Sequence, residues 1–365
     1  MKKHLLHLLV LLIVFAFLFQ PIAAHASPYP VSISDSAQKP AGQSENQAKS
    51  FTCSTVSDVP QAECEALVSL YESNNGEGWT LKDNWLETST VGNWYGITVE
   101  SGHVVEINLD LNNLNGSFPT DLEDLSHLQS LDLSWNSLTG SIPPEISNFS
   151  ALQVLNLYNN NLSGALPREL GEMSSLQELV LRNNQFSGTI PIELGDLDNL
   201  EKLDLMGNQL SGIIPSELGN LSNLQALDLG SNSLTGTIPT ELSQLDELQG
   251  LWLDYNQLSG SIPPELGNLT NLQHLWLSVN NLTGIVPPEL GNLIDLQALF
   301  LSGNPLRGII PLTFTNLTLL NVFHFHNTSL CEPYLPEFLA WKATVENWQG
   351  SGITCKQLYL PMTTR

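Results

Sequence analysis

The stretch Leu128-Gln-Ser-Leu131-Asp-Leu133-Ser-Trp-Asn136-Ser-Leu138-Thr-Gly140-Ser-Ile142-Pro143 decides the fold, because its pattern returns every 24 residues without insertion or deletion. Copies open at Val104, Leu128, Leu152, Leu176, Leu200, Leu224, Leu248, Leu272 and Leu296, and a degraded tenth opens at Leu320. A fixed period of this size predicts a solenoid, in which each unit buries its apolar face only against its neighbours. Leu131 and Leu133 alternate around a free residue, the period-2 signature of a short strand with one buried face. Ten such strands, about 4.8 Å apart, give a sheet roughly 45 Å along the stack.

The Asn that follows each strand (Asn112, Asn136 and their counterparts to Asn304) stands where the chain turns. Its amide is expected to hydrogen-bond backbone groups that the turn leaves unpaired. A Leu or Phe follows, then a Gly tolerant of unusual backbone angles, then Ile-Pro. Proline cannot donate to a ladder, so the far side of each repeat is expected to be irregular or 3₁₀-like with short strands.

The consensus Leu-x-x-Leu-x-Leu-x-x-Asn-x-Leu-x-Gly-x-Ile-Pro-x-x-Leu-Gly-x-Leu, running from residue 104 to 319, resembles the 24-residue leucine-rich repeat of plant receptor ectodomains and secreted plant inhibitors. That resemblance implies an α/β repeat solenoid, a horseshoe or arch with a parallel sheet lining its concave face.

The ends frame the repeats. Residues 1–26 read as a secretory signal: Lys2 and Lys3, the apolar run Leu8 to Phe19, and the small residues of Ala24-His25-Ala26. That run is too short to span a bilayer comfortably, so no stable membrane insertion is expected after cleavage. Residues 27–50, rich in Ser, Gln, Pro and Ala, read as a disordered spacer. Removing residues 1–26, which hold two lysines and no acid, takes the net charge from −25 to −27. Such a surface disfavours nucleic acid and anionic lipid, and suits a soluble, extracellular or cell-surface protein or a cationic partner. A monomer is expected.

Four cysteines flank the repeats in two local pairs, Cys53 with Cys64 and Cys331 with Cys355. In a secreted chain they read as disulfides, and since the ends of a solenoid lie far apart only the local pairing fits. Residues 51–103 read as a first cap. A helix starts near Asp58 and Pro60, carries Leu67, Leu70 and Tyr71 on one stripe, and stops at Asn75-Gly76. Trp79, Trp85 and Trp94 then form a lid. This segment, through Trp94-Tyr95-Gly96-Ile97, resembles the N-terminal cap of bacterial secreted leucine-rich repeat proteins; Val99 stands where the plant cap has its second Cys. Residues 320–365 hold the degraded tenth repeat and the second cap, where the spacing of Phe338, Trp341, Val345 and Trp348 predicts a helix from Pro336 to Trp348. The tail Leu358 to Pro361 could add an edge strand.

Function is sought at positions that the repeat leaves free. The residue between the two buried leucines of each strand faces the concave surface: Asn108, Asp132, Asn156, Val180, Asp204, Asp228, Trp252, Trp276, Phe300 and His324. Large exposed rings in consecutive repeats mark a contact surface. The candidate ligand-binding residues are therefore Trp252, Trp276 and Phe300, flanked by Tyr255, His274, His324 and His326. The ligand would be an extracellular protein or peptide, or alternatively a glycan stacking on the rings. The competing reading is that the rings merely stabilise one another across strands.

His324-x-His326 is a possible metal pair, but His274 lies two strands off, roughly 10 Å away, so no metal or other cofactor is assigned. Asn-x-Ser/Thr sequons arise mostly from the repeat consensus. Glu145, Glu169, Glu193 and their counterparts recur with the period, as a solvated face does. No nucleophile elbow, phosphate loop, zinc-protease motif or kinase domain is present, and an enzyme is not expected. A binding module is favoured over an adhesive surface protein or an inhibitor of a secreted hydrolase.

Overall fold

In the computed structural model, residues 51–355 are described. The signal segment, the spacer and the tail at Leu358 to Pro361 lie outside them.

One twelve-stranded sheet runs the length of this region. Ten of its strands come from the repeats, from His103–Asn108 to Val322–His324, and neighbours pair in parallel with Leu131 opposite Leu155, Leu155 opposite Leu179, and so on. The strand leucines and those of the following turn are fully buried. Each contributes about 1.5–3 kcal/mol by leaving water. A 3₁₀ turn crosses the convex side of every repeat, as at Ser216–Asn220 and Thr240–Gln244, and short strands such as Gln209–Ile213 and Ser233–Thr235 pair beside the first sheet. The expected 3₁₀-like convex side, with its short strands, is what forms.

The asparagines join the repeats as anticipated. Asn136 accepts from the backbone N–H groups of Asn112 and Leu114 at 3.1 and 2.9 Å and donates to the carbonyls of Leu109 and Leu133 at 2.8 and 3.0 Å. Asn160, Asn184 and Asn256 repeat the arrangement one, two and five units on. Each amide thus fills polar groups of two successive turns that would otherwise be buried and unpaired.

At the N-terminal end, helix α1 (Gln61–Ser73) buries Leu67, Leu70 and Tyr71 and is tied by the Cys53–Cys64 disulfide. The hairpin partner Ile97–Glu100 lies antiparallel on the first repeat strand. Tyr71, Trp79, Trp85 and Trp94 pack with ring centroids 4.9–5.7 Å apart. All three indole N–H groups are used, donating to the carbonyls of Asn74, Tyr95 and Thr88. These tryptophans are a lid with nothing left to offer a ligand.

The C-terminal cap departs from its expectation. Helix α2 covers only Pro336–Lys342, and Trp348 lies on a strand, Asn347–Gln349, that pairs in parallel with Val322–His324. The helical spacing of Phe338, Trp341, Val345 and Trp348 is outweighed by the open edge of the sheet. Asn347 donates to the Asn321 carbonyl at 2.9 Å and Gln349 accepts from Phe325 at 2.8 Å, pairing groups the edge would expose. Trp348 still reaches the same apolar cluster, 5.2 Å from Phe323 and 5.8 Å from Trp341. The Cys331–Cys355 disulfide joins two further paired strands, Ser329–Pro333 and Thr354–Cys355.

Candidate functional site on the concave face

Register places Asp204, Asp228, Trp252, Trp276, Phe300 and His324 opposite one another on six successive strands. The row is less open than its sequence suggests. Trp252, Trp276 and Phe300 are half-buried and His324 is buried, because the rings cover one another. Trp276 leans on Phe300 at 4.7 Å, and Phe300 meets the edge of His324 at 4.6 Å. His326 lies 6.1 Å from His324. Trp252 does not continue this cluster. Its indole folds back over Gly250 and stacks on His274 at 6.0 Å and 23°. Tyr255 stands apart at the strand-to-turn corner, 54 % exposed, with a left-handed φ of 54°.

Burial disfavours the charged imidazolium, lowering the pKa of His274. The pKa of His324 is lowered by burial and by the charge of His326, against a hydrogen bond donated to the Asn347 side chain that raises it. Neutral rings can both donate and accept. Three polar atoms at this end are buried without a partner in the protein: Nε1 of Trp276, Nε2 of His324 and Nδ1 of His326.

Beside Trp252 lies a group of carboxylates whose members are scattered over three repeats and two columns of the sheet. Arg182 reaches Asp228 at 3.4 Å and Asp204 at 3.9 Å. Asp228 and Asp254 converge over Gly230, where a β-carbon would meet an oxygen of each at 3.1–3.2 Å. Burial, then the neighbouring charge of Asp204, pushes the Asp228 carboxyl up to about 7. Burial likewise raises Asp254 to about 6 and shifts Asp204 upward. The single-column reading found Asp204 and Asp228 but not Asp254 or Arg182, which sit in the adjacent column. An open concavity of about 460 Å³, lined among others by Tyr158, Arg182, Lys202 and Asp204, continues from this group onto the polar half of the face.

Leucine-rich repeat family models match residues 139–186, 198–258, 246–292, 127–149 and 295–317. No curated protein sequence is significantly similar to the chain. Among solved structures, the chain is similar to the ectodomain of the Arabidopsis thaliana receptor kinase GASSHO1/SCHENGEN3 in complex with CASPARIAN STRIP INTEGRITY FACTOR 2, at 33 % identity over 76 % of this chain and 36 % of that one, with a TM-score of 0.63. It is similar to the ectodomain of the Arabidopsis receptor kinase HAESA bound to an IDA peptide hormone, at 32 % identity over 79 % and 52 %, with a TM-score of 0.66. A leucine-rich repeat protein of Leptospira interrogans matches at 32 % identity over 65 % of each chain, with a TM-score of 0.51. The chain spans about a third to a half of the length of the plant ectodomains. Its 24-residue units are leucine-rich repeats, and the chain folds as the solenoid that such repeats build.

Proposed function

We propose that this protein is a secreted, non-enzymatic binding module whose concave face takes an extended peptide or protein segment outside the cell. The observation that carries the reading is the set of three buried, unpartnered polar atoms on Trp276, His324 and His326, set among half-buried rings. A buried donor left unpaired costs about 1–3 kcal/mol, and the amide groups of an extended backbone would supply both acceptors and donors there. The rings of Trp276 and Phe300 offer apolar contact, and Tyr255 stands at the rim. The carboxylates of Asp204, Asp228 and Asp254, with Arg182 and, beside Asp204, Lys202 against them, favour a ligand with a basic side chain at one end. The two plant ectodomains above are in complex with CASPARIAN STRIP INTEGRITY FACTOR 2 and with an IDA peptide hormone, which supports the same use of the fold. Among the described residues no helix is long and apolar enough to cross a membrane.

The test compares the parent chain with a W252A/W276A/F300A variant, using thermal unfolding as the control for folding. Both are panned against a displayed library of random peptides and against a glycan array. Enrichment of peptides carrying a basic residue near apolar ones, lost in the variant, is the expected result. Binding only to glycans would replace the peptide reading with the sugar-stacking one, for which the flat indole of Trp252 is suited. Equal capture by parent and variant would show the rings to be scaffold.

A further inference from the structure

We propose that Glu63, His103 and His127 bind a divalent transition metal that clamps the N-terminal cap to the first two repeats. His103 and His127 stand 24 residues apart, so the solenoid stacks them in one column, with ring centroids 3.7 Å apart and planes inclined by 19°. From the cap, Glu63 in the first turn of α1 reaches over them. Its Oε1 lies 2.6 Å from Nδ1 of His103, and its Oε2 accepts from the backbone N–H of Val104 at 2.8 Å. One ligand atom from each of the three residues lies within 4.8 Å of the others.

The column itself shows that the pair departs from the repeat. In four later repeats the same position holds Ser175, Asn199, Asn223 and Asn271, each of which hydrogen-bonds a backbone carbonyl 25 residues earlier, while Ala151, Glu247 and Asp295 stand there in the others. That bond is a tie between units. His127 makes no such tie among the contacts described; its ring stacks on His103 and its Nδ1 meets the neighbouring Ser126 hydroxyl at 3.3 Å. Between the first units the position carries two stacked imidazoles met by a carboxylate instead of such a tie. Glu63 is only 3 % exposed, and a buried carboxylate needs compensating positive charge. His103 supplies that only when protonated, whereas a dication supplies it at any pH where the rings are neutral.

Two imidazole nitrogens and one carboxylate oxygen form a donor set suited to zinc, nickel or copper. Tetrahedral zinc with bonds near 2.1 Å needs its ligand atoms about 3.4 Å apart. Metal entry replaces the 2.6 Å contact between Glu63 Oε1 and His103 Nδ1, whose side chains must open toward that spacing, while His127, whose ring is exposed, turns in to meet them. Solvent has access on the His127 side, so water completes the coordination. Magnesium and calcium, which take oxygen ligands, are not suited.

The experiment titrates the untagged full chain, freed of metal by chelation, with zinc chloride and separately with copper(II), following heat and thermal unfolding. One equivalent should bind and raise the melting temperature, with magnesium inert. The copper complex should show nitrogen coupling from two imidazoles. His127→Ala, at an exposed ring, should leave the metal-free melting temperature near that of the parent and weaken binding by about tenfold or more, as losing a metal-site partner does. Glu63→Gln should also weaken binding, while a His324→Ala/His326→Ala variant should bind like the parent. Failure of both metals to bind below millimolar concentration would overturn the proposal. So would binding that survives both H127A and E63Q, since the metal would then lie elsewhere.

Discussion

Gly250 makes the seat of Trp252. A methyl group at residue 250 would overlap the six-membered ring of the indole, which lies flat on the strand two residues from its own backbone. The absent side chain is what lets Trp252 stack on His274.

Gly250→Ala should therefore lift the indole off the sheet. Trp252 becomes more exposed and its stacking on His274 is lost. The expected cost is about 1–3 kcal/mol, as for other overpacked sites, partly offset by the lower entropy of the unfolded chain. A red shift in tryptophan emission together with weaker ligand capture would agree with this. Unchanged fluorescence and binding would show the seat to be unimportant.

The asparagine ties can be tested one at a time. Asn256 accepts from Leu234 N–H and donates to the carbonyl of Leu229, both at 2.9 Å, inside the stack. Asn256→Ala leaves the buried N–H of Leu234 unpaired, while the Leu229 carbonyl keeps the Asn232 amide as a donor at 3.2 Å, for an expected loss of about 1–3 kcal/mol. Contacts in a solenoid are made between neighbours, so accelerated amide exchange should centre on the repeats around residues 229–258. A global and uniform loss of protection would contradict this.

The carboxylates around Arg182 give a pH signature with a definite sign. Asp228 and Asp254 sit near 7 and 6, above the ordinary aspartate value of 3.8. Between those values the folded chain binds more protons than the unfolded one. The stability these groups contribute is thus fully present below about pH 4 and is lost as the pH rises through about 7. His274 and His324, with lowered values, act in the opposite direction below about pH 6.5, so the comparison with a variant isolates the acids. Asp228→Asn should be more stable than the parent at pH 8, by at least about 1 kcal/mol. The advantage should fade on acidification. Denaturant midpoints measured from pH 4 to pH 8 would settle it, and a constant difference would refute the assignment.

The C-terminal disulfide holds a cap that covers Phe323, Phe325 and Phe338. Replacing Cys331 and Cys355 by serine should cost about 2–4 kcal/mol. Dye binding to newly exposed apolar surface should rise at mild denaturant, before the repeats unfold. A single coincident transition by both probes would mean that cap and repeats unfold as one.

The period made most of this legible. Leu131, Leu133 and Asn136 recur without a gap, so strand, turn and inter-repeat tie could each be read from one copy, and the ten repeat strands follow. The concave column was likewise readable, since register in an ungapped parallel stack is fixed by counting. What escaped was contact between columns. Asp254 meets Asp228 over Gly230, where a side chain would crowd both, and Arg182 reaches Asp228 from another repeat. The covering of Trp276 by Phe300 depends on ring rotamers that no spacing encodes. Trp348 escaped for another reason: its helical spacing was real, but an unpaired sheet edge competed for the same backbone. Glu63 sits outside the repeats altogether, and its place over His103 is set by how α1 docks.

The ungapped register has one more consequence. Every concave column is in effect a ruler, marked about every 4.8 Å along the stack. Recombination that copies or drops one whole rung between Asp204 and Trp276 would slide the acidic group relative to the rings by one mark, leaving each rung's own backbone geometry as it was. The distance between the two groups is then a quantity that gene rearrangement can change in fixed steps, without a single new core residue.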